Sequence, residues 1–165
     1  MGFTPHYGLE EVDYGVTGWN AILTANMQKI DTAMHSNALL HIATTIIDAQ
    51  ETSTRQVLYT VPEGEIFIPI FVVVRSISAS LAGLVDMDIG GNAANTDWLQ
   101  QISLDDLTDT FSSCEIRQPA QVAGPPIVPE KKITYTAGKV FSIQINTGAT
   151  GEASFTTDLF GYLFE

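Results

Sequence analysis

Two aspartates separated by one residue, Asp86 and Asp88, form a pattern in the sequence that could do chemistry. A glycosidase places two such carboxyl groups on either side of a scissile sugar bond. The same stretch puts Asp86, Asp88, Gly91 and Asp97 at the first, third, sixth and twelfth positions of a calcium-binding loop. However, Asp97 replaces the bidentate glutamate, and no helical pattern flanks the stretch. We therefore interpret Asp86 and Asp88 as solvent-facing carboxylates and predict no metal site.

The histidines and the single cysteine could supply a base and a nucleophile, but the sequence does not bring them together. His6, His35 and His41 precede the predicted β-domain, whereas Cys114 lies inside it. No G-x-S-x-G, H-E-x-x-H or C-x-x-C pattern occurs, and Cys114 reads as a small buried apolar residue. We predict no catalytic residues and no cofactor, and we expect that the protein is not an enzyme.

Trp98 lies in a pattern that suits ligand binding rather than a reaction. It follows Asn92, Asn95 and Asp97. An exposed indole ring beside such polar groups can stack on a sugar while the polar groups bind its hydroxyls. The other interpretation is a tryptophan buried in the core or in a subunit interface, as is common for large aromatic side chains. Both interpretations remain open from the sequence.

The charge of the chain excludes some classes of partner. The 165 residues carry 19 acidic and 7 basic side chains, which gives a formal charge of −12. Nucleic acids and anionic membranes attract clusters of Lys and Arg, so we expect neither as a partner. The N-terminus has no positively charged and apolar leader, and the longest apolar stretch, residues 66–74, is far shorter than a membrane span. We expect a soluble protein made in a cytoplasm.

A helix is the first element that would position functional residues. Residues 1–16 read as an extended, aromatic-rich arm, and helical spacing runs over residues 17–37, with Thr17 as the N-cap. The apolar residues at that spacing form one stripe: Trp19, Leu23, Met27, Ile30 and Met34. Such a stripe either covers the β-domain of its own chain or is buried in an oligomer or attachment site. We predict an anchoring or oligomer interface here.

The remainder of the chain predicts a β-sandwich. Residues 38–54 read as a linker, and from residue 55 the hydrophobic period changes from 3.6 to 2. Turn signals separate eight predicted strands, at residues 56–61, 66–78, 81–89, 98–104, 111–117, 133–135, 139–146 and 153–164. The second is apolar throughout, so we expect a central strand buried on both faces, with a bulge or an edge at Pro69.

The fold class is therefore mainly β. We predict an antiparallel, jelly-roll-like β-sandwich over residues 55–165, preceded by an extended arm and one N-terminal α-helix within residues 1–37. The alternation between strands and helices that a parallel sheet needs does not occur in this sequence.

The predicted helix also carries a family resemblance. Its segment resembles one that opens many tail-fibre and other virion proteins of tailed bacteriophages, and the matching residues are Gly18, Trp19, Asn26, Met27, Ile30 and Asp31. The β-domain, from VPEGEIFIP through AGKVFSIQINTGATGEA to DLFGYLF, is similar to small phage proteins. The resemblance implies a virion structural protein whose N-terminus docks on other virion proteins and whose sandwich projects outward. It also implies a homotrimer, since many such sandwiches are trimers.

Two further points keep the expected role broad. No heptad run long enough for a shaft occurs, so capsid decoration, a collar or a baseplate role stays open beside a tail fibre. The alternative function is a carbohydrate- or receptor-binding module of a phage adhesin. Its ligand would be a host surface glycan, bound at Trp98, Asn92, Asn95 and Asp97.

Overall fold

The computed structural model describes residues 19–37, 39–84, 86–118 and 132–164. The chain divides into two compact units, and the boundary falls between Ala38 and Leu39. The described part of the first unit is one helix, and the second unit contains nine strands within its described residues. The predicted arm at residues 1–16 and the predicted N-cap, Thr17, lie outside the described residues.

Helix α1 spans Trp19–Asn37 and has 19 residues, so the predicted helix is confirmed to within two residues at its start. Its sequence contains Ala, Leu, Met and Gln, which are good helix formers, and neither Gly nor Pro. At a rise of 1.5 Å per residue, the helix is about 28 Å long. Lys29 and Asp31 are its only formally charged residues, so α1 is neutral in a strongly acidic chain.

The strands of the second unit are short and mostly match the predicted ones. Each of the eight predicted strands has a counterpart among β2 to β9, although their ends differ by several residues. The bounds are β1 Leu40–Asp48, β2 Gln56–Thr60, β3 Ile66–Arg75, β4 Asp86–Gly90, β5 Leu99–Ile102, β6 Cys114–Arg117, β7 Tyr135–Thr136, β8 Val140–Thr147 and β9 Ser154–Phe164.

The strands pair as a jelly roll. The first sheet has the order β1-β9-β3-β6, with the two-residue β7 also paired to β3, and the second has the order β2-β8-β4-β5. All of these pairings are antiparallel. If β7 is set aside, the first strand pairs with the last, the second with the second to last, and so on inward. This is one long hairpin rolled into two sheets, and it confirms the predicted antiparallel, jelly-roll-like sandwich.

One hydrophobic core fills the space between the sheets. Phe67, Phe141 and Phe155, on β3, β8 and β9, are fully buried there. The Phe141 ring packs edge-on against Phe67 and Trp98, with ring centroids 5.7 and 5.4 Å apart. The domain therefore has a complete core of its own, and large apolar residues on its outer faces need a different explanation.

The predicted linker at residues 38–54 is wrong, because β1 lies within it and pairs along β9. Residues 44–47 read Thr-Thr-Ile-Ile, so each face of the strand receives one threonine and one isoleucine, and no period of two is visible. A bulge between His41 and Ala43 shifts the register further. The sandwich thus begins at Leu40 rather than at residue 55, and His41 lies on a sheet instead of preceding the β-domain.

Strand β3 is central, as predicted, and a bulge lies between Pro69 and Phe71. The expectation that it is buried on both faces is wrong for the chain by itself. Residues that point toward the second sheet are buried, whereas those that point outward are at least partly exposed. The sequence of β3 therefore resembles a strand covered on two sides, although this sandwich covers only one.

Candidate functional site: two apolar surfaces

The stripe on α1 is accessible where the structure describes it. Leu23, Met27 and Ile30 are 46%, 63% and 41% exposed. Trp19 and Met34 belong to the same helix, but their side chains lie outside the described residues. Three large apolar side chains on one face of a neutral helix form a surface that water solvates poorly. The anchoring or oligomer interface on this stripe stays a prediction.

A second apolar surface lies on the outer side of the first sheet. The residues that share it come from the two central strands and are here called the aromatic face: Ile66, Ile68, Phe71 and Val73 of β3, and Phe160, Tyr162 and Phe164 of β9. None of the seven packs in or against the core. Ile66 and Phe164 are 41% and 37% exposed, and the others are partly exposed.

The aromatic face is ordered by its own contacts. Phe71 and Phe160 are direct partners across β3 and β9, and their rings stack with centroids 4.7 Å apart. His41, on the other neighbour of β9, packs its ring against Phe160 at 5.2 Å. Cross-strand aromatic pairs of this kind stabilise a sheet and hold side chains in one conformation. These rings of the aromatic face therefore contact one another within the chain.

The carboxylate of Asp158 lies at one end of the aromatic face. Asp158 is only 8% exposed, although it points away from the core. It binds the Arg75 guanidinium through both oxygens, one of them 3.0 Å from Nη2. The Thr44 hydroxyl donates to Asp158 Oδ1 at 2.6 Å, and His41 Nε2 lies 3.3 Å from the same oxygen. The hydrogen bond from Arg75, reinforced by Thr44, outweighs the cost of burial and lowers the pKa of Asp158 to about 2.

A second ion pair lies at the β6 edge of the same face. Arg117 binds Glu115 two residues away on β6. In the register of the sheet, Arg117 pairs with Phe71 and Glu115 with Val73, so both side chains belong to the outer side. Among the described residues, Asp158, Arg75, Glu115 and Arg117 thus form two neutral pairs beside the aromatic face, and they include two of the three arginines in the chain.

The outer side of the second sheet is polar instead. The Asn146 side chain of β8 donates to Asp88 at 2.8 Å and to Asp86 at 3.3 Å. The Asp88 carboxylate also accepts a hydrogen bond from the backbone N–H of Gln101 at 2.9 Å. Asp88 is 8% exposed, so the interpretation of this residue as solvent-facing is wrong. Its carboxylate holds β4, β5 and β8 together, which gives it a structural task and no substrate-facing position.

Trp98 is not a platform for a sugar. It is 5% exposed and packs edge-on against Phe141 in the core. The face of its ring is therefore not available for stacking, and the predicted glycan site is corrected to a core position. The polar residues before Trp98 lie close to it in the sequence, which suggested a sugar site. The sequence pattern does not reveal that the ring points inward, because aromatic residues occur both in cores and in binding sites.

The polar residues of that turn bind the backbone of the turn. Asp97 Oδ1 accepts the Gly91 amide at 2.7 Å, and Asn92 Oδ1 accepts the Thr96 amide at 2.9 Å. Asn95 is completely buried and lies 3.0 Å from the Ser142 hydroxyl. Short polar side chains commonly replace a backbone partner in this way. Asn92, Asn95 and Asp97 therefore shape the β4–β5 connection.

Few other groups on the described surface could take part in catalysis or metal binding. Cys114 points inward from β6, and burial raises the pKa of its thiol, which makes it a poor nucleophile. In the described ranges, no three His, Cys, Asp or Glu side chains converge as a metal site would need. No helix in those ranges combines the length and the apolarity needed to cross a membrane.

Phe111, in the β5–β6 connection, is 95% exposed.

Sequence reasoning missed the aromatic face, although a signal was present. The pattern of β3 predicted burial on both sides, and β9 likewise carries Leu159 and Leu163 on one side and Phe160 and Tyr162 on the other. Without a structure, such a strand is taken as the centre of its own core. The strand order shows that only one of the two sides can face the second sheet.

The comparisons with known proteins give little beyond this geometry. No protein-family model matches the chain, and no curated protein matches it in sequence. Among solved structures, the chain is similar to one in the acidic stable capsid structure of Helicobacter pylori bacteriophage KHP30. The match covers 78% of this chain and 98% of that one, with a TM-score of 0.38 and 13% sequence identity. Such low values are no evidence of a shared function.

Proposed function

We propose that the chain is a structural subunit of a bacteriophage virion, of fibre, collar or decoration type. It docks on other virion proteins through α1 and displays the jelly roll on the particle. The observation that carries this proposal is the exposed stripe of Leu23, Met27 and Ile30 on α1, which belongs to a different compact unit of the chain from the sandwich. A helix with this surface gains stability when a partner covers it.

The assignment to a phage particle is supported by the sequence of the same helix. Gly18, Trp19, Asn26, Met27, Ile30 and Asp31 follow the pattern seen at the start of many phage tail and virion proteins. Two of these residues, Met27 and Ile30, are exposed in α1. The residues that carry the resemblance are therefore partly the residues that are available for docking.

A structural task also fits the way in which charged groups are used. On the outer sides of both sheets, the described carboxylates Asp86, Asp88 and Asp158 are engaged by amides or by arginine. A general acid or base must be free to exchange its proton with a substrate near neutral pH, and a carboxyl group whose pKa is about 2 is a weak base. We propose that the protein works by assembly and not by catalysis, as a homotrimer located in the virion.

Incorporation into particles tests this proposal. In the phage genome that encodes the chain, Leu23, Met27 and Ile30 are each changed to Asp, and purified particles are analysed by quantitative mass spectrometry. We expect the variant protein to be lost from the particles at least about tenfold, since three carboxylates on the stripe oppose burial. Equal incorporation of the variant and the native chain would contradict docking through α1.

The matched control places the same three charges on the opposite side of the helix. Ala21, Ala25 and Gln28 are all exposed, and they lie half a turn away from the stripe. Changing them to Asp alters net charge and helix propensity by similar amounts. We expect normal incorporation of this control, and its loss as well would show that charge or helix stability, rather than the stripe, decides incorporation.

A further inference from the structure

We propose that the aromatic face of the first sheet is covered by a second copy of this chain. In the homotrimer proposed above, that copy is a neighbouring subunit. The inference itself comes from the face alone and needs neither the virion nor the docking helix. It assigns a homotypic interface to the outer side of β3 and β9.

The first argument is the burial pattern of the two central strands. An antiparallel sheet with one side in water alternates apolar and polar residues. The outer positions of β3 and β9 instead carry Phe71, Phe160, Tyr162 and other apolar side chains, while the inner positions already complete the core. Strands that are apolar on both sides are typical of sheets that are covered on both sides. The sandwich covers one side, and a second copy of the chain covers the other.

The second argument is charge, which selects the occupant. The chain has a formal charge of −12, so two copies repel each other at most orientations. Around the aromatic face, however, Arg75 neutralises Asp158 and Arg117 neutralises Glu115. Copies that meet through this face bring together neutral surfaces and keep their acidic surfaces apart. A basic partner would find little to bind here, because Asp158 and Glu115, the carboxylates that the structure describes beside the face, each hold an arginine.

The third argument is the cost of covering the charged groups. A buried charge is expensive unless it is paired and hydrogen-bonded before burial. Asp158 receives Arg75 and the Thr44 hydroxyl within its own chain, and only 8% of the residue remains exposed. A second copy can therefore cover this end of the face without leaving a carboxylate unpaired. The ion pair is fixed by the chain itself and demands no charge from the partner.

The fourth argument is size. Strand β9 has 11 residues, which corresponds to a length of about 36 Å, and four strands have a width of about 19 Å. Because β1, β3 and β6 have 9, 10 and 4 residues, the outer side of the four strands measures about 540 Å². A stable interface of standard size buries about 800 Å² on each partner. The outer side of this sheet therefore supplies more than half of such an area.

The test is the mass of the full chain in solution, measured by sedimentation equilibrium over a range of concentrations. We compare the native chain with Ile66→Lys and Phe71→Lys. Each added lysine makes the chain less acidic, so general repulsion between copies falls. If the face is buried between copies, each substitution should nevertheless raise the dissociation constant at least about 100-fold, because a buried ammonium has no partner there.

Phe111→Lys is the matched control. It makes the same chemical change at a phenylalanine that is 95% exposed and lies on a connection rather than on the face. We expect it to leave the dissociation constant within about threefold of the native value. Ile66 is 41% exposed, so Ile66→Lys should remain folded even if Phe71→Lys does not, and circular dichroism of each variant checks this.

Two outcomes would overturn the inference. One is a native chain that is a monomer at every concentration, and the other is an oligomer that Ile66→Lys leaves intact. If that surviving oligomer is lost when Leu23, Met27 and Ile30 are changed to Asp, the contact between copies lies on α1. An oligomer of two copies that Ile66→Lys dissociates would support the aromatic face and contradict the proposed trimer, so the two proposals fail separately.

Discussion

The outer sides of the two sheets differ although both sheets close the same core. On the second sheet, Asn146 bridges Asp86 and Asp88, and Gln144 donates to the Thr52 carbonyl at 2.8 Å. On the first sheet, Phe71 stacks on Phe160 at the equivalent central position. The needs of the core cannot explain this difference, because the inner sides are alike. The proposed homotypic interface accounts for it, since a polar side suits water and an apolar side suits a protein.

The largest expected effect separates the core from the aromatic face. Phe141→Ala removes a ring that contacts Phe67, Trp98 and Tyr135, so the free energy of unfolding should fall by about 3–5 kcal/mol. Phe71→Ala should cost about 1 kcal/mol or less in dilute monomer, because its ring packs outside the core. Urea denaturation at low protein concentration measures both. An equal loss of unfolding free energy in the two variants would show that the aromatic face stabilises the fold as the core does, and it would contradict the difference between them.

The next effect concerns the carboxylate of each outer side. Asp158→Asn should lower the free energy of unfolding at pH 7 by up to about 2 kcal/mol, reduced by partial solvent screening of Arg75. The folded pKa of Asp158, about 2, is below the ordinary value of 3.8. The contribution of Asp158 to the free energy of unfolding is therefore present above about pH 4 and is lost as the pH falls toward 2.

Acid denaturation curves of the native chain and Asp158→Asn should consequently converge between pH 4 and pH 2. Asp86→Asn on the second sheet is the control, since Asp86 has one amide contact, at 3.3 Å from Asn146. It should change the free energy of unfolding by less than about 0.5 kcal/mol. A difference between the native chain and Asp158→Asn that persists below pH 2 would show that the Arg75 pair is not its source.

The smallest expected effect marks the boundary of the aromatic face. Ile46 is 72% exposed on β1, beyond the Asp158 cluster. Ile46→Thr keeps a β-branched side chain, so the free energy of unfolding and the dissociation constant of the oligomer should both stay nearly unchanged. Concentration-dependent sedimentation and thermal unfolding would check this. A clear loss of association would extend the interface across β1.

Most strands of the sandwich could be predicted from the sequence, because turn residues and the alternation of apolar and polar residues are signals over a few residues. The sequence predicted a bulge or an edge at Pro69, of which the structure has the bulge, and the helix from residue 17 to residue 37, since proline and helical spacing are local signals. It did not predict β1, in which Thr and Ile occur on both sides. This strand is defined by its pairing with β9, more than 100 residues away.

The functional residues were harder to predict for a related reason. The residue types around Trp98 suit a sugar site, but the direction of the ring depends on the packing of Phe141 from another strand. Conversely, the sequence did not place Phe160 and Tyr162 on the outer side, because a strand does not reveal which of its sides will meet the second sheet. Exposure depends on the strand order, which the sequence pattern left open.

The central claim, that the two outer sides differ in what covers them, can be tested directly by thiol labelling. In a Cys114→Ser background, a cysteine is placed at Val73 on the aromatic face or at Gln144 on the second sheet, both of which are partly exposed. Maleimide labelling rates are measured below and above the concentration at which the chain associates. We expect labelling at position 73 to slow at least about tenfold on association while labelling at position 144 stays constant. Unchanged rates at both positions, or equal slowing at both, would contradict the claim.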